Sequence, residues 1–150
     1  LLISPSVVAT EISGKAVIED GNTIKIRNER IRLYGIDAPE KKQQCVRANE
    51  CYPCGTAATE DLAKIVGDFK ITCQYTVRDQ ENRIIGECFN GWIELGPWLI
   101  FNGWAVAYRT NIKEFFELEA DARKNGRGIW QGEFITPAKW REGERLACER

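Results

Sequence analysis

Residues 20–40 read DGNTIKIRNERIRLYGIDAPE. Ile24 and Ile26 alternate with polar neighbours in the first half, and Ile31 and Leu33 do so in the second. Alternation with period two marks strands that bury one face. Asp20-Gly21-Asn22 supplies turn chemistry ahead of the first run. Asp37-Ala38-Pro39-Glu40 ends the second, because proline has no N–H to give to a ladder. Upstream, ISGKAVIE (residues 12–19) reads as another strand, so residues 12–36 are predicted to form a three-stranded meander.

Downstream, residues 41–55 are polar, hold three cysteines and end at Gly55, which reads as a stapled loop. Thr56 is predicted to cap a helix over 57–66, with Ala58, Leu62, Ile65 and Val66 on one face and Gly67 as its stop. FKITCQYTV (69–77) and RIIGECF (83–89) flank the polar turn Asp79-Gln80-Glu81-Asn82 and read as a hairpin. A short apolar helix is expected in 93–102, an extended piece at 104–108, and a helix over 113–125 with Phe116, Ala120 and Arg123 at helical spacing. Gly126 is its left-handed stop, and Pro137 starts a short terminal helix bearing Trp140. Three strands, a helix and a two-strand hairpin fit a five-stranded OB barrel, an α+β fold with three main helices. The expected division is 1–11 as a signal-peptide remnant or N-terminal arm, 12–142 as the OB domain and 143–150 as a tail.

The 150 residues are 43% hydrophobic and 29% charged, the balance of one globular domain. Twenty-one basic against 22 acidic side chains give a net charge of −1, so bulk charge cannot draw the protein onto nucleic acid. A phosphate ligand would need a local cluster. There is no histidine. That removes Ser-His-Asp and Cys-His nucleophiles, imidazole metal sites and histidine acid–base catalysis. A base must be Asp, Glu, Lys or Tyr. There is no methionine either, so a start residue is expected to precede Leu1.

Six cysteines stand at 45, 51, 54, 73, 88 and 148. Scattered thiols, a zinc site on Cys51-Tyr52-Pro53-Cys54, and disulfides are the three readings. No second CxxC follows, and the even number favours disulfides in an oxidising compartment. Leu1-Leu2-Ile3 and Val7-Val8-Ala9 read either as the end of a signal peptide cut before Thr10 or as an N-terminal arm. No apolar run is long enough to span a membrane.

The polar residues at the strand ends each have an ordinary explanation when taken singly. DGN is a turn, Arg32 is a strand arginine opposite Ile31 and Leu33, and DAPE is a terminator. Together they say more. DGNTIKI followed by RLYGIDAPE resembles the signature of the thermonuclease (staphylococcal nuclease-like) family. Gly103-Trp104-Ala105 and Gly128-Ile129-Trp130 match its later pieces. The cysteine loop, Cys73 with Cys88, and the WQGEF…WR ending resemble the secreted proteobacterial branch.

The resemblance implies calcium-dependent hydrolysis of DNA or RNA by a secreted or periplasmic protein. Arg32 and Arg83 match the family's phosphate-binding arginines, and Glu40 its general base. Asp37 matches a calcium-binding aspartate and Ala38 the residue that offers a backbone carbonyl to the ion. Asn22 falls where the family has a second calcium-binding aspartate, so the ion loses a negative ligand and activity is expected to be weakened. Glu81 stands where the family has no acid, and it would repel a phosphate backbone. The competing class is a non-catalytic OB module of the cell envelope that binds a polyanion, a polysaccharide or a protein. A monomer is expected in both cases. In a symmetric hairpin register, residues whose numbers sum to 161 face one another, which pairs Cys73 with Cys88. The secreted branch implies Cys45 with Cys54, which leaves Cys51 and Cys148 for each other.

Overall fold

The computed structural model describes residues 1–6 and 8–150. Val7, and with it part of the Val7-Val8-Ala9 reading, lies outside the described residues. Four strands open the chain: Thr10–Lys15 (β1), Val17–Ile18 (β2), Thr23–Ile26 (β3) and Glu29–Leu33 (β4). Ile36–Asp37 (β5) follows, then a hairpin of Cys45–Arg47 (β6) and Glu50–Tyr52 (β7). Helix Cys54–Val66 (α1) leads into Lys70–Arg78 (β8) and Ile84–Asn90 (β9). Ile93–Glu94 (β10), helix Leu95–Phe101 (α2), Val106–Ala107 (β11) and helix Lys113–Lys124 (α3) come next. Pro137–Arg141 (α4) is a short last helix.

The main sheet runs β1-β8-β9-β4-β3-β2, with β10 paired to β9. β1 also packs near β3, so the sheet curls toward the half-closed barrel of an OB-fold. The segment read as one strand over 12–19 is broken at Ala16. β1 pairs with β8 and β2 with β3, so the chain must bend where it changes partner. β4 and β9 run parallel, with Ile31 facing Ile84 and Arg32 facing Ile85. The extended piece after α2 pairs across to β5, with Val106 facing Asp37.

The core follows from the alternation. Ile24, Ile26, Ile31 and Leu33 are all buried, and Ala58, Leu62 and Val66 of α1 close over them at helical spacing. Each of the isoleucine, leucine and valine side chains among them contributes roughly 1.5–3 kcal/mol on burial. Two boundaries differ from expectation. α1 begins at Cys54, not 57, with Pro53 rather than Thr56 at its cap. Proline at this position fixes the entry of the chain, and Cys54 is held by a disulfide. α3 buries Phe115 and Ala122, whereas Phe116 is exposed. Phe115 packs edge-on against Tyr34 and lies over Gly35, where any Cβ would collide with its ring.

All six cysteines are paired, as Cys45–Cys54, Cys51–Cys148 and Cys73–Cys88. Cys73 and Cys88 are direct partners in the β8–β9 register, with Cα atoms 4.0 Å apart. Closing that 15-residue separation stabilises by about 3 kcal/mol in the chain-entropy account. Cys45, Cys54, Tyr52 and Ile129 form a second small core, which Trp130 and Phe134 cover. Gly103 and Gly128 bring the end of α2 against the turn after α3. A Cβ on either would fall on the backbone of the other segment, and the Ile129 N–H donates to the Gly103 carbonyl at 2.8 Å. Among the described residues, no helix is long and apolar enough to cross a membrane.

Candidate active site

The turn after β2 is built by its own side chains. The Asn22 N–H donates to Asp20 Oδ1 at 2.8 Å, an Asx turn. Gly21 lets this turn lie against Ala38 and Ala58, since a Cβ there would come within 2.9 Å of the Ala38 Cβ. Asn22 is buried and clamps Ala38 from both sides. Its Oδ1 accepts from the Ala38 N–H at 2.7 Å, and its Nδ2 donates to the Ala38 carbonyl at 3.1 Å. The residue read as a metal ligand thus ties two loops together with both ends of its amide.

Asn22→Asp keeps the acceptor but replaces the donor with a second oxygen aimed at the Ala38 carbonyl. The substitution is expected to destabilise the protein by about 1–3 kcal/mol in the absence of a divalent cation, the cost of leaving buried polar groups unpaired. Chemical denaturation in the presence of a chelator measures it.

Asp37 follows on β5 and is 1% exposed. A buried carboxylate needs a partner, and it has two. Arg141 of α4 grips it with both nitrogens, Nη1 to Oδ1 at 2.9 Å and Nη2 to Oδ2 at 2.7 Å. Arg32 Nη2 adds a longer bond to Oδ1 at 3.3 Å. Arg141 Nη1 also donates to Glu40 Oε1 at 2.6 Å. One guanidinium therefore bridges Asp37 and Glu40. The hydrogen bonds to Asp37, and after them those to Glu40, push its pKa still further above the ordinary arginine value. Buried Gln43 fixes this region from behind. Its Oε1 accepts from the Glu40 N–H at 3.0 Å, and its Nε2 donates to the Ile135 carbonyl at 2.6 Å, just ahead of α4.

Arg32 and Arg83 share a face of the sheet. Arg32 faces Ile85 across the β4–β9 ladder, and Arg83 lies two residues before Ile85, on the same side by strand alternation. Both line one open pocket, together with Tyr34, Tyr75, Tyr108 and Arg109. Arg83 is held by Asp79 at 2.8 Å and by Glu81 at 3.4 Å. Burial works to raise the Asp79 pKa, but the hydrogen bonds from Arg83 outweigh it and leave the carboxyl below its usual range. Glu40 and Asp37 do not line this pocket. They adjoin it through Arg32 and through Tyr108, whose ring centroid lies 5.9 Å from the Arg141 guanidinium.

Sequence reasoning assigned no role to Arg141 or Gln43. The WR ending was visible, but Asp37 and Arg141 are 104 positions apart, and no local pattern joins them. Among the described residues, no three His, Cys, Asp or Glu side chains gather as a metal-binding group.

An OB barrel with two arginines and a carboxylate at its rim defines a nuclease-like class. The family described as "Staphylococcal nuclease homologue" matches residues 30–132. The chain belongs to that family. It is 34% identical to "Succinoglycan biosynthesis protein ExoI" of Rhizobium meliloti (strain 1021), over 83% of this chain and 68% of that protein. It is 30% identical to an "Uncharacterized endonuclease" of Escherichia coli, over 93% of this chain and 92% of that one. It is 29% identical to "Probable staphylococcal-like nuclease CAN2" of Oryza sativa subsp. japonica, over 91% of this chain but only 36% of the rice protein. Arg32, Asp37, Glu40 and Arg83 lie within the family match, whereas Asn22 and Arg141 lie outside it.

Proposed function

We propose that the protein is a nuclease that hydrolyses phosphodiester bonds of DNA or RNA. The placement of Arg32 and Arg83 on one face of one pocket carries this reading. Two guanidinium groups can donate to the nonbridging oxygens of a phosphate, and these bonds strengthen as charge builds in the transition state. Glu40 is the base that takes a proton from the attacking water. The names of the relatives in Escherichia coli and rice support the same chemistry. Three disulfides support a secreted or periplasmic location, where such bonds persist.

Calcium belongs to this reading only with difficulty. When bound, such an ion polarises a phosphoryl oxygen. Asp37 and the Ala38 carbonyl would be its holders, but both Asp37 oxygens accept from arginine and Asn22 already occupies the Ala38 carbonyl. The donor set as arranged does not fit the ion. A second reading, a binding module of the envelope, is favoured by Arg83, whose charge is already answered by Asp79 and Glu81.

The purified protein, incubated with plasmid DNA, single-stranded DNA and RNA, with calcium and with chelator, tests the proposal. Cleavage that Arg32→Ala and Arg83→Ala both abolish is expected. Absence of cleavage of all three substrates would favour the binding module.

A further inference from the structure

We propose that Arg141 is the resident cation of the Asp37–Glu40 pair, and that it and a divalent cation exclude one another there. The first support is charge. Asp37 and Glu40 carry two negative charges, and Arg141 and Arg32 bring two positive ones. The cluster is neutral as it stands. A divalent ion added to it would leave an excess of two positive charges next to a side chain that is 1% exposed, which a low-dielectric site opposes strongly.

The second support is geometry. Arg141 makes three charge-assisted bonds of 2.6–2.9 Å, two of them bidentate on the buried carboxylate. This is the fork geometry in which arginine outperforms lysine. The third support is the donor set. Asn22 sends a nitrogen, not an oxygen, toward the Ala38 carbonyl, and its one oxygen is used by the Ala38 N–H. Hard cations need several free oxygens, commonly 6–8 for calcium.

Arg141 is also anchored as a structural ligand would be. Thr136 Oγ1 caps α4 by accepting from the Lys139 N–H. Gln43 holds the Ile135 carbonyl, and the Cys51–Cys148 bridge fixes the chain beyond the helix. A guanidinium stays charged at all physiological pH values, so this cation is permanent. The consequence for catalysis rests on the nuclease reading: a positive charge stands beside Glu40 without any free ion, and hydrolysis proceeds in chelator.

Calcium titrations of wild type, Arg141→Met and Arg141→Met/Asn22→Asp test the proposal by calorimetry. Wild type is expected to show no saturable binding up to about 10 mM, above the ~10⁻³ M of weak extracellular sites. Arg141→Met, with its similar stem and no charge, is expected to bind at least about tenfold more tightly, and the double variant more tightly again. Wild type that binds as tightly as Arg141→Met overturns the proposal. So does a folded double variant that binds nothing. Should Arg141→Met fail to fold, NMR of the wild-type guanidinium groups decides. Arg141 resonances that stay fixed through the titration support the proposal, and resonances that move with saturation overturn it. No nucleic-acid cleavage under any condition removes the nuclease reading, while the titrations still decide this one.

Discussion

Glu40→Gln is expected to slow phosphodiester hydrolysis by about 10²-fold or more while the protein stays folded. The carboxylate is the only group in the cluster that can take a proton from water and is not buried. Asp37 is 1% exposed and gripped by two arginines, whereas the Glu40 side chain retains 27% of its exposure. Glutamine is nearly isosteric and keeps an oxygen to accept from Arg141, but it cannot take up a proton at neutral pH. The rate therefore falls for a chemical reason, not a geometric one.

The same substitution is expected to cost little stability. The Arg141–Glu40 bond is partly exposed, and such pairs contribute up to about 1 kcal/mol. Arg141 keeps both of its bonds to Asp37, and the Glu40 N–H keeps its bond to Gln43, because a side-chain change does not touch it. Initial rates and thermal melts of the two proteins separate the cases. A lowered Tm with an unchanged rate would make Glu40 a structural partner of Arg141 and nothing more. Arg32 pairs with Asp37 and not with Glu40, so Arg141 is the side chain that a structural role of Glu40 would serve.

The parts of this site that depend on local sequence are visible in it. Strand alternation puts Ile24, Ile26, Ile31 and Leu33 inside and leaves Arg32 on the other face, because a period of two is a property of any few consecutive residues. The Cys73–Cys88 register follows from the position of one turn. What depends on distant packing is not visible. Adjacent Phe115 and Phe116 differ only in which one meets Tyr34 and Gly35, contacts that span about 80 positions of the chain. Gln43 reaches Ile135 over 92 positions, and Arg141 reaches Asp37 over 104. A glutamine in a polar loop and an arginine in a C-terminal segment of mixed charge carry no periodic signal. Their roles exist only once α4 is laid against the β5 edge. Asn22 lies between these cases. Its departure from the family pattern is plain in the sequence, but the two bonds to Ala38 that occupy its amide are a fact of folding.

Removing the Cys51–Cys148 bridge by a double serine substitution is expected to cost more stability than removing Cys73–Cys88. Chain entropy sets the order. The two bridges close separations of 97 and 15 residues. The first corresponds to about 4.7 kcal/mol and the second to about 3 kcal/mol of lost denatured-state freedom. The long bridge also has a local task. It ties the turn Ala147–Glu149 to β7, and through that turn it steadies the chain behind α4. Glu149 accepts from the Trp140 indole at 2.9 Å and from the Gln44 N–H at 3.1 Å, so the tail is latched to the helix that carries Arg141. Freed of its bridge, this segment is expected to loosen and to weaken the hold of Arg141 on Asp37, which would leave a buried carboxylate with only the longer bond from Arg32. Urea unfolding of the two double variants, with the slope compared to detect early loosening, measures both effects. A long-bridge variant that loses less than the hairpin variant would mean that the tail detaches as a separate unit before the barrel opens. The bridge would then protect the site and not the fold, and amide exchange would be fast in α4 while β8 and β9 stayed protected.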